Sequence, residues 1–101
     1  MLTKENADKL DDLAQRAIDC WGVPAQFGMV KEECLELALE VQRIDRGRHD
    51  DEKILEESVD VYIMMKEMFI IFGPDRVNAM MAKKLGKFES HLAKSEKKEA
   101  A

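Results

Sequence analysis

An all-α protein is predicted: a four-helix unit, with helices over about 3–21, 24–46, 50–72 and 74–94, that assembles into a homo-oligomeric helical bundle. Three observations point there. Leu, Ala, Met, Glu and Lys are abundant while the 101 residues hold only two Pro and five Gly, a mixture that favours helix. Apolar residues recur at spacings of three and four along most of the chain. The breakers cluster between those periodic stretches, at Gly22-Val23-Pro24, around Gly47 and at Gly73-Pro74.

Thr3 is placed to cap the first helix, whose apolar face is Leu10, Leu13, Ala14, Ala17, Ile18 and Trp21. Gly22 ends it, and Pro24 suits the first turn of the next, where a missing N–H leaves nothing unpaired. The second helix carries a near-heptad stripe of Phe27, Val30, Cys34, Leu37, Val41 and Ile44, read as its core face, with Gly47 as its C-cap. Arg46-Gly47-Arg48-His49-Asp50-Asp51 is the clearest loop, and either aspartate can cap the third helix.

The third helix has a core stripe of Ile54, Val61, Met65, Met68 and Phe72 and a second apolar face in Leu55, Val59, Tyr62, Ile63, Phe69 and Ile70. The second helix has a smaller extra face in Leu35, Ala38 and Leu39. A helix apolar all round must be buried all round. A unit this small cannot easily do that alone, so homo-oligomerisation, as a dimer or tetramer, is the expected answer. The fourth helix follows with Val77, Met81, Leu85, Phe88 and Leu92, and residues 95–101 are expected to form a disordered tail.

The net charge of −5 and a pI near 5.1 argue against a nucleic-acid polymer as partner, since phosphate backbones need a dense basic face. Cys20 and Cys34 lie on apolar stripes without CxxC or Cys/His spacing, and are read as buried reduced thiols rather than zinc ligands. The apolar run after Val59 is broken by Lys66 and Glu67, too short to span a membrane. A cytoplasmic location with no membrane attachment is expected.

Two acidic stretches remain: Glu32-Glu33-Cys34-Leu35-Glu36 on the second helix and Glu57-Ser58-Val59-Asp60 on the third. With Glu33 at 0° and 100° per residue, the core stripe of the second helix spans about 20° to 120°, while Glu36 and Glu40 fall at about −60° and −20°. Gln26 and Met29, at about 20° and −40°, continue that row, and Glu32 points outward. With Glu57 at 0° on the third helix, Asp60 lies at about −60°, in the same relation to its stripe. Side by side, the helices bring Glu33, Glu36, Glu57 and Asp60 to one site. Like charges gather so only when a cation holds them, and oxygen-only ligands select hard cations such as Mg²⁺.

The pattern EExxE, spacer, ExxD, together with Trp21-Gly22, Gln26 and Lys84-Leu85-Gly86-Lys87, resembles the MazG-like branch of the all-α nucleoside triphosphate pyrophosphohydrolases, which includes dimeric dUTPases and dCTP pyrophosphatases. The resemblance spans most of the chain and implies one MazG-like domain over residues 1–94. It implies that Glu33, Glu36, Glu57 and Asp60 hold Mg²⁺, with Mn²⁺ able to substitute. It further implies cleavage between the α and β phosphates of a nucleoside triphosphate, with Lys84 and Lys87 contacting phosphate. His91 stands where relatives often carry Arg.

The residues agree with that chemistry: a metal-activated water attacks phosphorus while a carboxylate, Glu33 or Glu36, orients it and takes its proton. Gln26 is positioned to hydrogen-bond a base or sugar and Trp21 could stack on a base, although Trp21 closes the first helix's apolar stripe and reads more readily as core. Lys84 reads either as a phosphate contact or as a stem lying over core. Lys53, one turn before Glu57, is expected to pair with it. His49-Asp50 lacks the further histidines of an HD-type phosphohydrolase, no Glu-x-x-His di-iron motif occurs, and Asp50 occupies the position where an EF-hand loop over Asp45–Glu56 needs Gly. The alternative to an enzyme is a non-catalytic helical module that binds a partner protein or a nucleotide, with its acids merely solvated.

Overall fold

The computed structural model describes residues 1–100 and is all-helical, with no strand among the described residues. The helices are α1 (Lys4–Trp21), α2 (Val23–Gln42), α3 (Asp51–Phe72) and α4 (Pro74–Ala100), with a single 3₁₀ turn over Arg43–Arg46. No described helix is long and apolar enough to cross a membrane. The chain divides into two compact units, Met1–Ile71 and Phe72–Ala101.

In the first unit the ends of the helices obey the local chemistry. Thr3 Oγ1 accepts the Asn6 N–H at 3.1 Å and so caps α1. Gly22 sits at φ 86° and ψ 154°, between two helices that are almost continuous in sequence, a conformation that a side chain would strain. Its N–H closes α1 on the Ile18 carbonyl and its own carbonyl accepts from Gln26 N–H. The α-helical part of α2 stops at Gln42, four residues before the expected boundary at 46. The last turn tightens into the 3₁₀ segment, as helix ends often do, and Gly47 closes it in the left-handed conformation, donating to the Arg43 and Ile44 carbonyls. Asp50 caps α3, its Oδ1 accepting the Lys53 N–H at 3.1 Å.

Side-chain burial in this unit departs from the stripe reading. Ala14, Met64 and Met68 are the buried apolar residues, whereas Phe27, Val41 and Ile44 of the expected α2 core stripe are exposed. The face of α2 that is covered is the other one, with Gln26 and Glu40 buried and Met29 and Glu33 half-buried. The reason is positional: α1 and α3 pack toward the polar row, leaving most of the apolar stripe outward, with Val30 and Leu37 half-buried. Cys20 and Cys34, expected inside, are both exposed, Cys34 as part of that outward stripe and Cys20 on α1. Lys66 Nζ meets Asp11 Oδ1 at 2.6 Å and ties α3 to α1.

The second unit is α4 with the turn before it. Gly73, at φ 91°, makes the turn, and the Arg76 guanidinium stacks 5.3 Å from the centre of the Phe72 ring. The stripe of Met81, Leu85, Phe88 and Leu92 is exposed. The helix continues to Ala100 through residues 95–100, where a disordered tail was expected. Ser95-Glu96-Lys97-Lys98-Glu99-Ala100 contains no breaker, and Glu, Lys and Ala are strong helix formers. Ala101 lies outside the described residues.

Candidate metal and ligand site

The acidic row is covered because α2 and α3 run antiparallel with their carboxylates facing. Glu33 lies against Asp60 and Glu36 against Glu57. A step of three forward on α2 thus matches a step of three back on α3. Glu33, Glu36 and Glu57 each offer one oxygen to a set lying within 4.8 Å of one another, and Asp60 adjoins it through Glu33. The four acids singled out from sequence are therefore brought together, three in the tight set and one beside it. Glu32 is exposed outside it.

This arrangement is electrostatically unfavourable as it stands. Burial, then Asp60, Glu36 and Glu57, push the Glu33 carboxyl above its ordinary value; burial, then Glu36 and Asp60, do the same to Glu57, with Lys53 opposing weakly. A carboxyl–carboxyl contact is a hydrogen bond only if one partner is protonated. With both ionised, the buried Glu33 Oε2 and Glu57 Oε2 have no donor. Lys53 does not form the expected ion pair with Glu57; it pairs with Glu56 at 3.7 Å. Arg43 neutralises Glu40 at the end of the row, not the cluster.

A hard cation fits this donor set. Oxygens bound about 2.1 Å from one ion can be at most about 4.2 Å apart, so small rotations of three side chains would close the observed set on it. The residues that would hold it are Glu33, Glu36, Glu57 and Asp60, and the unpaired oxygens of Glu33 and Glu57 are the observation that favours it.

A cavity of about 530 Å³ opens beside the cluster within the first unit. Its walls come from α1 (Leu10, Leu13, Ala14, Arg16, Ala17, Cys20, Trp21), from α2 (Met29, Glu33) and from α3 (Asp60, Ile63, Met64, Glu67). Trp21 is 61% exposed and lines this cavity, so it is not core. Gln26 is fully buried, and neither atom of its amide has a partner. Lys84 and Lys87 lie one turn apart on α4, both exposed, in the second unit. Of the charged residues in this cavity, Arg16 and Glu67 were not singled out from sequence; Glu67 stands seven residues after Asp60 on the same face of α3. A carboxylate inside the apolar run from Val59 to Phe72 was the available signal.

Comparison of the chain with protein-family models, with curated proteins and with solved structures returned no match.

Proposed function

We propose that the protein is a Mg²⁺-dependent nucleotide pyrophosphohydrolase that converts a (deoxy)nucleoside triphosphate to the monophosphate and pyrophosphate. The observation carrying this reading is the convergence of Glu33, Glu36 and Glu57 oxygens within 4.8 Å, with Asp60 beside them. The resemblance of the EExxE and ExxD pattern to the MazG-like enzymes supplies the substrate class, and the adjoining cavity offers room for a nucleoside.

Bound at the cluster, a divalent ion supplies positive charge for phosphate oxygens and acidifies water. Glu33 or Glu36 orients the attacking water and accepts its proton as the new P–O bond forms at the α phosphorus. The bond from that phosphorus to the bridging oxygen breaks, and pyrophosphate leaves with the electron pair. Trp21, at the cavity wall, offers a ring face for a base. Lys84 and Lys87 are assigned to phosphate neutralisation from the sequence pattern, which Lys84→Ala and Lys87→Ala test through KM. We assign the enzyme to the cytoplasm as part of this reading.

Incubating the protein with a panel of nucleoside triphosphates and Mg²⁺, and quantifying monophosphate and pyrophosphate, is expected to show both in equal amounts. Orthophosphate as the primary product, or no turnover of any nucleotide, overturns the proposal. A second reading, a helical protein-interaction module, is favoured by the exposed Leu35, Leu39, Leu55, Val59 and Tyr62. Thermal melting separates the two: a Mg²⁺-dependent rise supports the metal site, and none supports the module.

A further inference from the structure

The cavity between α1, α2 and α3 contains a carboxyl group that the proposed hydrolysis does not use. Glu67 is 2% exposed, it lines the cavity, and its Oε1 has no hydrogen-bond partner. Asp60, Ile63, Met64 and Glu67 share that wall of α3. Seven residues of helix place Glu67 about 10 Å from Asp60, comparable to the reach from a nucleotide's α phosphate to the far edge of its base. The antiparallel register set by the Glu33–Asp60 and Glu36–Glu57 pairs, carried two turns along the seam, puts Gln26 opposite Glu67. Gln26 is fully buried with both amide atoms unpaired. Buried polar groups normally find partners, and an apolar pair would fill these positions without the desolvation cost. At Glu67, which lines the cavity, an unmade bond of this kind fits a site that a ligand completes, whereas Gln26 lies behind the wall and not in it.

We propose that Glu67, with Gln26 opposite it, is the residue that selects the base: it reads the edge of a nucleobase seated in this cavity and favours edges that pair an exocyclic amine with an unprotonated ring nitrogen, as in cytosine and adenine. This inference rests on the nucleotide reading of the carboxylate cluster. Leu10, Leu13, Ala17 and Trp21 give the cavity the apolar walls that a planar ring requires. Burial pushes the Glu67 carboxyl above its ordinary value, and in its protonated form the carboxyl offers an O–H beside a C=O. The amine donates to that carbonyl and the ring nitrogen accepts the O–H. A ring nitrogen is a stronger base than the carbonyl oxygen that uracil, thymine or guanine would offer, so the shared proton forms the stronger bond.

The test reads binding without turnover: calorimetric titration with dCMP, dAMP, dTMP and dGMP in the presence of Mg²⁺. The unmodified protein is expected to bind dCMP and dAMP at least about tenfold more tightly than the other two. Glu67→Leu is expected to shrink that gap below about threefold, while its melting temperature without ligand is unchanged or higher, because an unpaired buried carboxyl has been removed. The isosteric Glu67→Gln, which preserves the shape of the cavity, is expected to retain part of the preference. Equal affinity for all four monophosphates, or a preference that survives in Glu67→Leu, overturns the proposal. Hydrolysis is scored separately: turnover without base preference sinks base reading alone, and preference without turnover sinks only the hydrolase.

Discussion

Glu33 and Glu57 are held above their ordinary carboxyl values by burial and by their acidic neighbours, and this has a definite sign. The folded protein binds these protons more tightly than the unfolded chain, so stability is greatest in acid and is lost as pH rises from about the ordinary value of 4.5 through the folded values. Melting in EDTA should therefore fall as pH rises above about 4.5, and Mg²⁺, which replaces the protons, should restore stability mainly at the higher pH. Glu57→Gln removes one repelling charge. It is expected to raise the metal-free melting temperature at neutral pH, flatten this pH dependence and abolish the Mg²⁺ response. Hydrolysis should fall by roughly 100-fold or more, the scale of losing a group that supports transition-state charge. If Glu57→Gln melts with the same response to pH and Mg²⁺ as the unmodified protein, the four acids do not act as one site.

Among the helices, the boundaries follow short-range chemistry that a local stretch contains in full. Thr3, Gly22, Gly47, Asp50 and Gly73 each sit where a cap or a positive φ is needed. Thr3→Ala removes the bond to the Asn6 N–H and is expected to cost about 1 kcal/mol, measured by urea denaturation; an unchanged midpoint would show that the first turn of α1 contributes nothing to the cooperative unit. Two ends escaped prediction. At the end of α2 a tightening into 3₁₀ geometry depends on how the last turn packs. At the end of α4 the lack of an apolar stripe was taken for a lack of helix, although nothing in residues 95–100 opposes one.

Packing between elements is where periodicity misled. An apolar stripe on α2 says that some surface must cover it, and the polar row beside it says the opposite; the chain covers the polar row. The stripe, with Leu35 and Leu39 on α2 and Leu55, Val59 and Tyr62 on α3, remains exposed, more apolar surface than a soluble monomer usually shows. Further copies of the chain are the cover that the sequence leads one to expect. Sedimentation equilibrium is expected to give a multiple of 11.6 kDa, and Leu39→Glu or Val59→Glu to lower it, since a buried unpaired charge opposes association. A monomer mass for the unmodified protein at micromolar concentration would instead favour an outside partner.

The four helices, their caps and the pairing of Glu33, Glu36, Glu57 and Asp60 were all readable from residue order, because helix formation and side-chain direction are local, periodic properties. Tertiary structure decided which face of α2 turned inward, that Trp21 and the two thiols stayed exposed, and that Gln26 and Glu67 were buried with unpaired polar atoms. Those outcomes depend on which helix lies against which, a matter of long-range contact that no spacing along a single helix records.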